Sequence, residues 1–173
     1  MKGVLVDSNV ILDIFLDDPA WADWSESTLE ELSAANRLFI NPVIYAEISI
    51  GFERIEELES ALRHAGLTLL DIPKEALFLA GKAFIGYKKR HGMRRSPLPD
   101  FFIGAHAAIM GLALLTRDAR RYRSYFPSVR LISPREQIPN ISSPCNTAGR
   151  AQGIVGVSER INCRRKNFHL IVT

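Results

Sequence analysis

Val4-Leu5-Val6-Asp7-Ser8-Asn9-Val10 opens this chain with an apolar run that ends in an acid, and Leu114-Leu115-Thr116-Arg117-Asp118 repeats that build late in the sequence. Each reads as a short buried strand carrying a carboxylate at its C-terminal edge. Between them, two more acids sit where acids are unusual. Glu47 interrupts the apolar Val43-Ile44-Tyr45-Ala46-Glu47-Ile48, and Asp100 opens Pro99-Asp100-Phe101-Phe102-Ile103. Carboxylates gathered in one place bind a hard divalent cation such as Mg²⁺ or Mn²⁺ through oxygen. Such a site suits metal-assisted phosphoryl chemistry.

Working outward from these runs, apolar patterning and punctuation divide the chain into alternating strands and helices. Strands are predicted over 2–6, 37–40, 67–72, 112–116 and 129–133. Helices are predicted over 9–15, 19–35, 42–50, 53–64, 73–90, 98–110 and 119–125. Asn41-Pro42 supplies an N-cap followed by proline at the first helical position, and Gly66 and Gly92 act as stops. The alternation predicts an α/β fold of three layers, a central parallel sheet of about five strands with helices on both faces. In such sheets ligands bind beyond the carboxyl ends of the strands, where the strand order reverses. Asp7 and Asp118 would flank one crevice if the first and fourth strands are neighbours, and the helix starts bearing Glu47 and Asp100 could line it.

The periodic pattern ends near Ile138-Pro139, which divides the chain into a domain over 1–139 and a loosely ordered tail over 140–173. The charge divides in the same way. Residues 1–139 hold 17 Lys+Arg against 18 Asp+Glu, and residues 140–173 hold 5 against 1, so the net +3 is the sum of −1 in the body and +4 in the tail. The body is near neutral, and only local clusters can argue for an acidic partner. Two exist: Lys88-Lys89-Arg90 with Arg94-Arg95, and Arg117 with Arg120, Arg121 and Arg123. Each could grip phosphate or simply face solvent. Arg94 and Arg95 are the stronger candidates because they lead into Asp100. The longest apolar stretch, from Phe101 to Thr116, falls short of a membrane span of about 20 residues. Cys145 and Cys163 lack CxxC spacing, which points away from a disulfide framework or a zinc site. The expectation is a cytoplasmic protein with no membrane segment.

Each acid also has an ordinary explanation. Asp7 and Asp118 could cap the helices that follow them, and Asp100 could be a first-turn acid favoured by the helix dipole. Glu47 is harder to dismiss, since a glutamate among apolar neighbours needs a partner. Gly81-Lys82 lacks the glycine loop and the following Ser/Thr of a phosphate-binding loop. His106 reads as a packed or locally bonded histidine. Trp21 and Trp24 read as a helix face packing on the sheet or a partner.

Taken in order, the four acidic stretches resemble the motifs of PIN-domain ribonucleases, most closely the VapC toxins of toxin–antitoxin pairs. Val4 to Val10 resembles the first motif and Asn41 to Ile48 the second. Leu98 to Ala107 resembles the third, and Leu114 to Asp118 with Tyr125-Phe126-Pro127 the fourth. The match covers about 1–138. Ser8 stands where the family often has Thr, and Pro127-Ser128-Val129 replaces a proline–glycine turn. The tail has no counterpart.

The resemblance implies an endoribonuclease dependent on Mg²⁺ or Mn²⁺ and leaving 5′-phosphate and 3′-hydroxyl ends. Asp7, Asp100 and Asp118 would hold the metal, with Glu47 contributing directly or through water. Asn9 and Thr116 would orient the carboxylates, and Arg94, Arg95 and Arg117 would contact RNA. It also implies a homodimer held inactive by a VapB-like antitoxin, a small DNA-binding protein whose peptide covers the site. The apolar faces Ile55-Leu58-Leu62 and Leu77-Ala80-Phe84 are candidate contacts. Two alternatives stay open: a housekeeping RNA-processing nuclease of the same family, and a PIN-fold RNA- or protein-binding module without catalysis. A haloacid-dehalogenase-like phosphatase fails, because it needs a second Asp where this chain has Asn9.

Overall fold

The computed structural model describes residues 3–91 and 98–134. Five short strands, β1 (Gly3–Val6), β2 (Arg37–Ile40), β3 (Leu67–Leu69), β4 (Ala113–Leu115) and β5 (Leu131–Ile132), form one sheet in the order β3-β2-β1-β4-β5. Every pairing is parallel. Helices α1 (Ser8–Phe15) and α2 (Ala22–Ser33) link β1 to β2, and α3 (Pro42–Ser49) and α4 (Ile55–His64) link β2 to β3. The return to the middle of the sheet runs through α5 (Lys74–His91) and α6 (Pro99–Met110), and α7 (Ala119–Tyr125) leads to β5. The first two connections step one way across the sheet and the last two the other way. Right-handed crossovers then place the two groups of helices on opposite faces. The strand order reverses between β1 and β4, where a crevice is expected.

The sheet is shorter than the sequence pattern predicts but sits where expected. Strands buried on both faces need continuous apolar residues, and Val4, Leu5, Val6, Leu114 and Leu115 are all buried. The helix ends follow local chemistry. Asn41 caps α3, its Oδ1 accepting from Val43 N at 3.0 Å and Ile44 N at 2.9 Å, with Pro42 in the first turn. Helix α6 ends at Gly111, whose φ of 64° is costly for a residue with a Cβ. The helix predicted from residue 19 begins three residues later, at Ala22, after a turn in which Asp18 Oδ1 accepts from Ala20 N and Trp21 N.

The apolar faces offered as contact surfaces are only partly free. Leu58, Leu62 and Ala80 belong to the core and Phe84 packs against it, whereas Ile55 and Leu77 are exposed. Among the described residues no helix is long and apolar enough to cross a membrane. The basic loop with Arg94 and Arg95, and the tail over 140–173, lie outside the described residues.

Candidate active site

The pairing of β1 with β4 builds the site. Their register sets Val6 beside Leu115, and Asp7 N donates to Leu115 O at 2.9 Å, so the next residues, Asp7 and Thr116, leave the sheet together. Thr116 Oγ1 donates to Asp7 Oδ2 at 2.7 Å. Asn9 Nδ2 donates to the same oxygen at 3.0 Å, and Asn9 Oδ1 accepts from Arg117 N at 3.1 Å, which staples the two strand ends together. Tyr122, from α7, adds its hydroxyl to Asp7 Oδ2 at 3.1 Å. The other oxygen, Oδ1, accepts from Ser8 N at 2.8 Å, so Asp7 also caps α1.

Asp7 is 4 % exposed, and every donor just named is uncharged. Burial pushes its carboxyl above the usual range, while hydrogen bonds from Thr116, Tyr122 and Ser8 pull it back. Tyr122, buried and facing this carboxylate, is held well above the ordinary phenol value near 10, first by burial and then by the charge of Asp7. It therefore stays a donor at any working pH.

Glu47 joins through Ser8, whose Oγ donates to Glu47 Oε2 at 2.7 Å and lies 3.4 Å from Asp7 Oδ1. A hydroxyl has one proton, and the shorter contact takes it. Burial raises the Glu47 carboxyl, and the nearby charge of Asp7 raises it further against the Ser8 hydrogen bond. Two carboxylates thus share one hydroxyl, and among the described residues no salt bridge reaches either. Such a pair is short of positive charge.

The other two predicted acids are placed differently. Asp100, in the first turn of α6, forms an ion pair with Arg121 of α7. Asp118 is exposed and caps α7, its Oδ1 accepting from Arg120 N at 3.2 Å. Among the described residues no three His, Cys, Asp or Glu side chains stand close enough to hold one metal ion. By chemistry the residues still suit a hard cation: the donors are oxygen only, and Asp7 and Glu47 form an uncompensated pair. Among the described residues neither Asp100 nor Asp118 bonds to that pair directly; Asp100 pairs with Arg121, whose neighbour Tyr122 donates to Asp7.

Arg117, expected to contact RNA, is engaged elsewhere. Its Nη1 lies 2.6 Å from Asp13 Oδ1, and its guanidinium lies over the Trp21 ring at 5.4 Å from the centroid. Asp13 is buried on α1 and also accepts from Ser25 Oγ at 2.9 Å. Asp13 carried the same signal as Glu47, an acid inside the apolar run Val10-Ile11-Leu12-Asp13-Ile14-Phe15, and sequence reading passed over it. Tyr122 was also missed. Its spacing of three from buried Ala119, on the helix that Asp118 starts, marks it as inward-facing. His106 is locally bonded as expected, its Nδ1 3.3 Å from Asn41 Nδ2. Burial lowers its pKa, and a neutral ring accepting at Nδ1 ties α6 to the start of α3.

The PIN-domain family model matches residues 4–126, from the first strand through α7. The chain belongs to the PIN-domain family. PIN domains are generally nucleases, hydrolases acting on nucleic acid, and generally use divalent metals. Solved structures share the fold at low identity. VapBC2 from Rickettsia felis, bound to a DNA fragment from its promoter, is 19 % identical with a TM-score of 0.58, covering 76 % of this chain and 98 % of that one. VapBC-1 from nontypeable Haemophilus influenzae is 18 % identical with a TM-score of 0.57, covering 76 % and 98 %. A toxin–antitoxin complex from Klebsiella pneumoniae is 19 % identical with a TM-score of 0.51, covering 73 % and 94 %. No curated protein resembles this PIN domain closely enough to count as a match.

Proposed function

We propose that this PIN domain is a metal-dependent endoribonuclease, the toxin of a type II toxin–antitoxin pair. The observation that carries the nuclease reading is the Asp7–Ser8–Glu47 arrangement at the carboxyl edge of β1, where among the described residues no salt bridge reaches either carboxylate. The toxin reading is supported by the shared fold with toxin–antitoxin complexes. On this reading the protein is cytoplasmic and homodimeric, and a VapB-like antitoxin covers the site.

Asp7 and Glu47 would hold Mg²⁺ or Mn²⁺, with Asp100 and Asp118 completing the donor set. The bound ion would supply an acidified water and charge stabilisation at the scissile phosphate. The protein's own part is positional. Thr116, Asn9 and Tyr122 hold Asp7 Oδ2, and Ser8 fixes Glu47 against it, so the donors are set before substrate arrives.

The test is cleavage of structured and single-stranded RNAs by the purified chain with Mg²⁺ or Mn²⁺ and with EDTA, beside Asp100→Asn. Metal-dependent cutting that falls by about 10²-fold or more in the variant, with an unchanged circular dichroism spectrum, is expected from loss of one site carboxylate. Equal activity in both proteins would remove Asp100 from the site. One observation favours a second reading, a PIN-fold binding module: Asp100 is paired with Arg121, and among the described residues no three acids converge. That reading gains if folded, antitoxin-free protein cuts nothing while still binding RNA.

A further inference from the structure

Helix α7 presents several arginines, and among the described residues Arg121 alone of them forms an ion pair with an acid of the site. Arg121 pairs with Asp100 across the gap between α7 and α6, and its neighbour Tyr122 donates to Asp7. Burial and the charges of Asp7 and Glu47 raise the Tyr122 hydroxyl, and the charge of Arg121 opposes them. Arg121 is therefore a cation built into the chain at the rim of the acidic edge. Its side chain is 46 % exposed and that of Asp100 is 26 % exposed. An ion pair this open to water is worth at most about 1 kcal/mol, so it is easily exchanged.

Resting on the nuclease reading above, we infer that Arg121 is a phosphate-binding residue of the site, kept on Asp100 until a divalent cation takes that carboxylate. A divalent ion held also by Asp7 and Glu47 would draw on several carboxylates, and its double charge would compete with one guanidinium for Asp100. The freed guanidinium stays tethered to α7 beside Tyr122. There its planar fork suits the two non-bridging oxygens of a phosphodiester. One arginine thus neutralises Asp100 in the metal-free protein and faces the substrate phosphate in the loaded one. Neighbouring Arg120 and Arg123 lack this position: among the described residues neither forms a salt bridge with an acid of the site.

The experiment compares the full chain with Arg121→Ala and Arg121→Lys in two assays. Calorimetric titration with Mn²⁺ alone reads the competition. Arg121→Ala is expected to bind Mn²⁺ roughly 3- to 5-fold more tightly, the equivalent of losing a competing exposed ion pair. Cleavage at saturating Mn²⁺, on whichever RNA the wild type cuts, reads the phosphate contact. There kcat is expected to fall by about 10²-fold in Arg121→Ala, as for loss of one charge-stabilising donor, with partial recovery in Arg121→Lys. The opposite signs are diagnostic, since a merely structural arginine would weaken both. Unchanged or weaker Mn²⁺ binding in Arg121→Ala overturns the inference, and so does tighter binding with unchanged kcat. Wild-type protein that binds no Mn²⁺ and cuts no RNA overturns the nuclease reading itself and the inference with it.

Discussion

Replacing Arg117 with alanine separates two roles for this residue, RNA contact and charge compensation. Asp13 is 4 % exposed, and Arg117 is its cationic partner at 2.6 Å. Removing one member of a buried pair costs about 3–5 kcal/mol, because the remaining charge is left without compensation. Arg117 is itself one-third exposed, and Ser25 still donates to Asp13, so about 2–3 kcal/mol is expected here. In a chain of this size that corresponds to a drop in Tm of about 5–10 °C.

The loss should depend on pH. Burial already raises the Asp13 carboxyl, with Ser25 and Arg117 opposing and Asp18 adding, so its folded pKa lies above its unfolded one. A carboxyl raised in this way favours the folded state while protonated, and that stability is lost as pH rises through the folded pKa. Without Arg117 the folded pKa rises further. The gap between variant and wild type should be smaller at an acidic pH, where Asp13 takes up its proton, than at a neutral one. Thermal melts at both values provide the assay. Asp13→Leu combined with Arg117→Met should recover most of the loss, since an apolar pair needs no compensation. A Tm within about 1 °C of wild type at both pH values, with RNA binding reduced, would refute the reasoning and return Arg117 to the RNA interface.

Two further outcomes follow from the same contacts. Tyr122→Phe removes a buried donor from Asp7 Oδ2, leaving its carboxyl still higher; the acid limb of the cleavage pH profile should move up, and an unmoved limb would show that Asp7 is not the group titrating there. Gly104→Ala would put a Cβ 2.3 Å and 2.5 Å from Phe126 ring carbons, so stability should fall by about 1–3 kcal/mol in chemical denaturation, and Phe126→Leu should relieve it in part; an unaffected single variant would contradict the α6–α7 packing.

Much of the architecture could be read from local patterns. The strand runs, the Asn41-Pro42 start and the Gly66 stop are encoded by residues a few positions apart, and the elements appear in the predicted order. The sheet edges were overestimated because apolar residues such as Leu112 continue past the last ladder hydrogen bond. Glu47 and Asp7 were recognisable as acids out of place. Asp13 was equally out of place, and its partner lies on the far side of the crevice, 104 residues along the chain. The ordinary explanations also held in part. Asp7 and Asp118 do cap helices, and for Asp7 capping and site-building use different oxygens of one carboxylate.

By itself, the sequence determined the PIN-type order of elements, the acids at their ends and the Asn9 and Thr116 that back Asp7, because periodicity, caps and motif spacing are properties of neighbours. Only the tertiary structure decided how the charges pair: Glu47 to Ser8, Arg117 to Asp13, Arg121 to Asp100. Those pairings join residues from separate helices and strand ends. Strand order and register set which side chains meet at the sheet edge, and no local pattern records that.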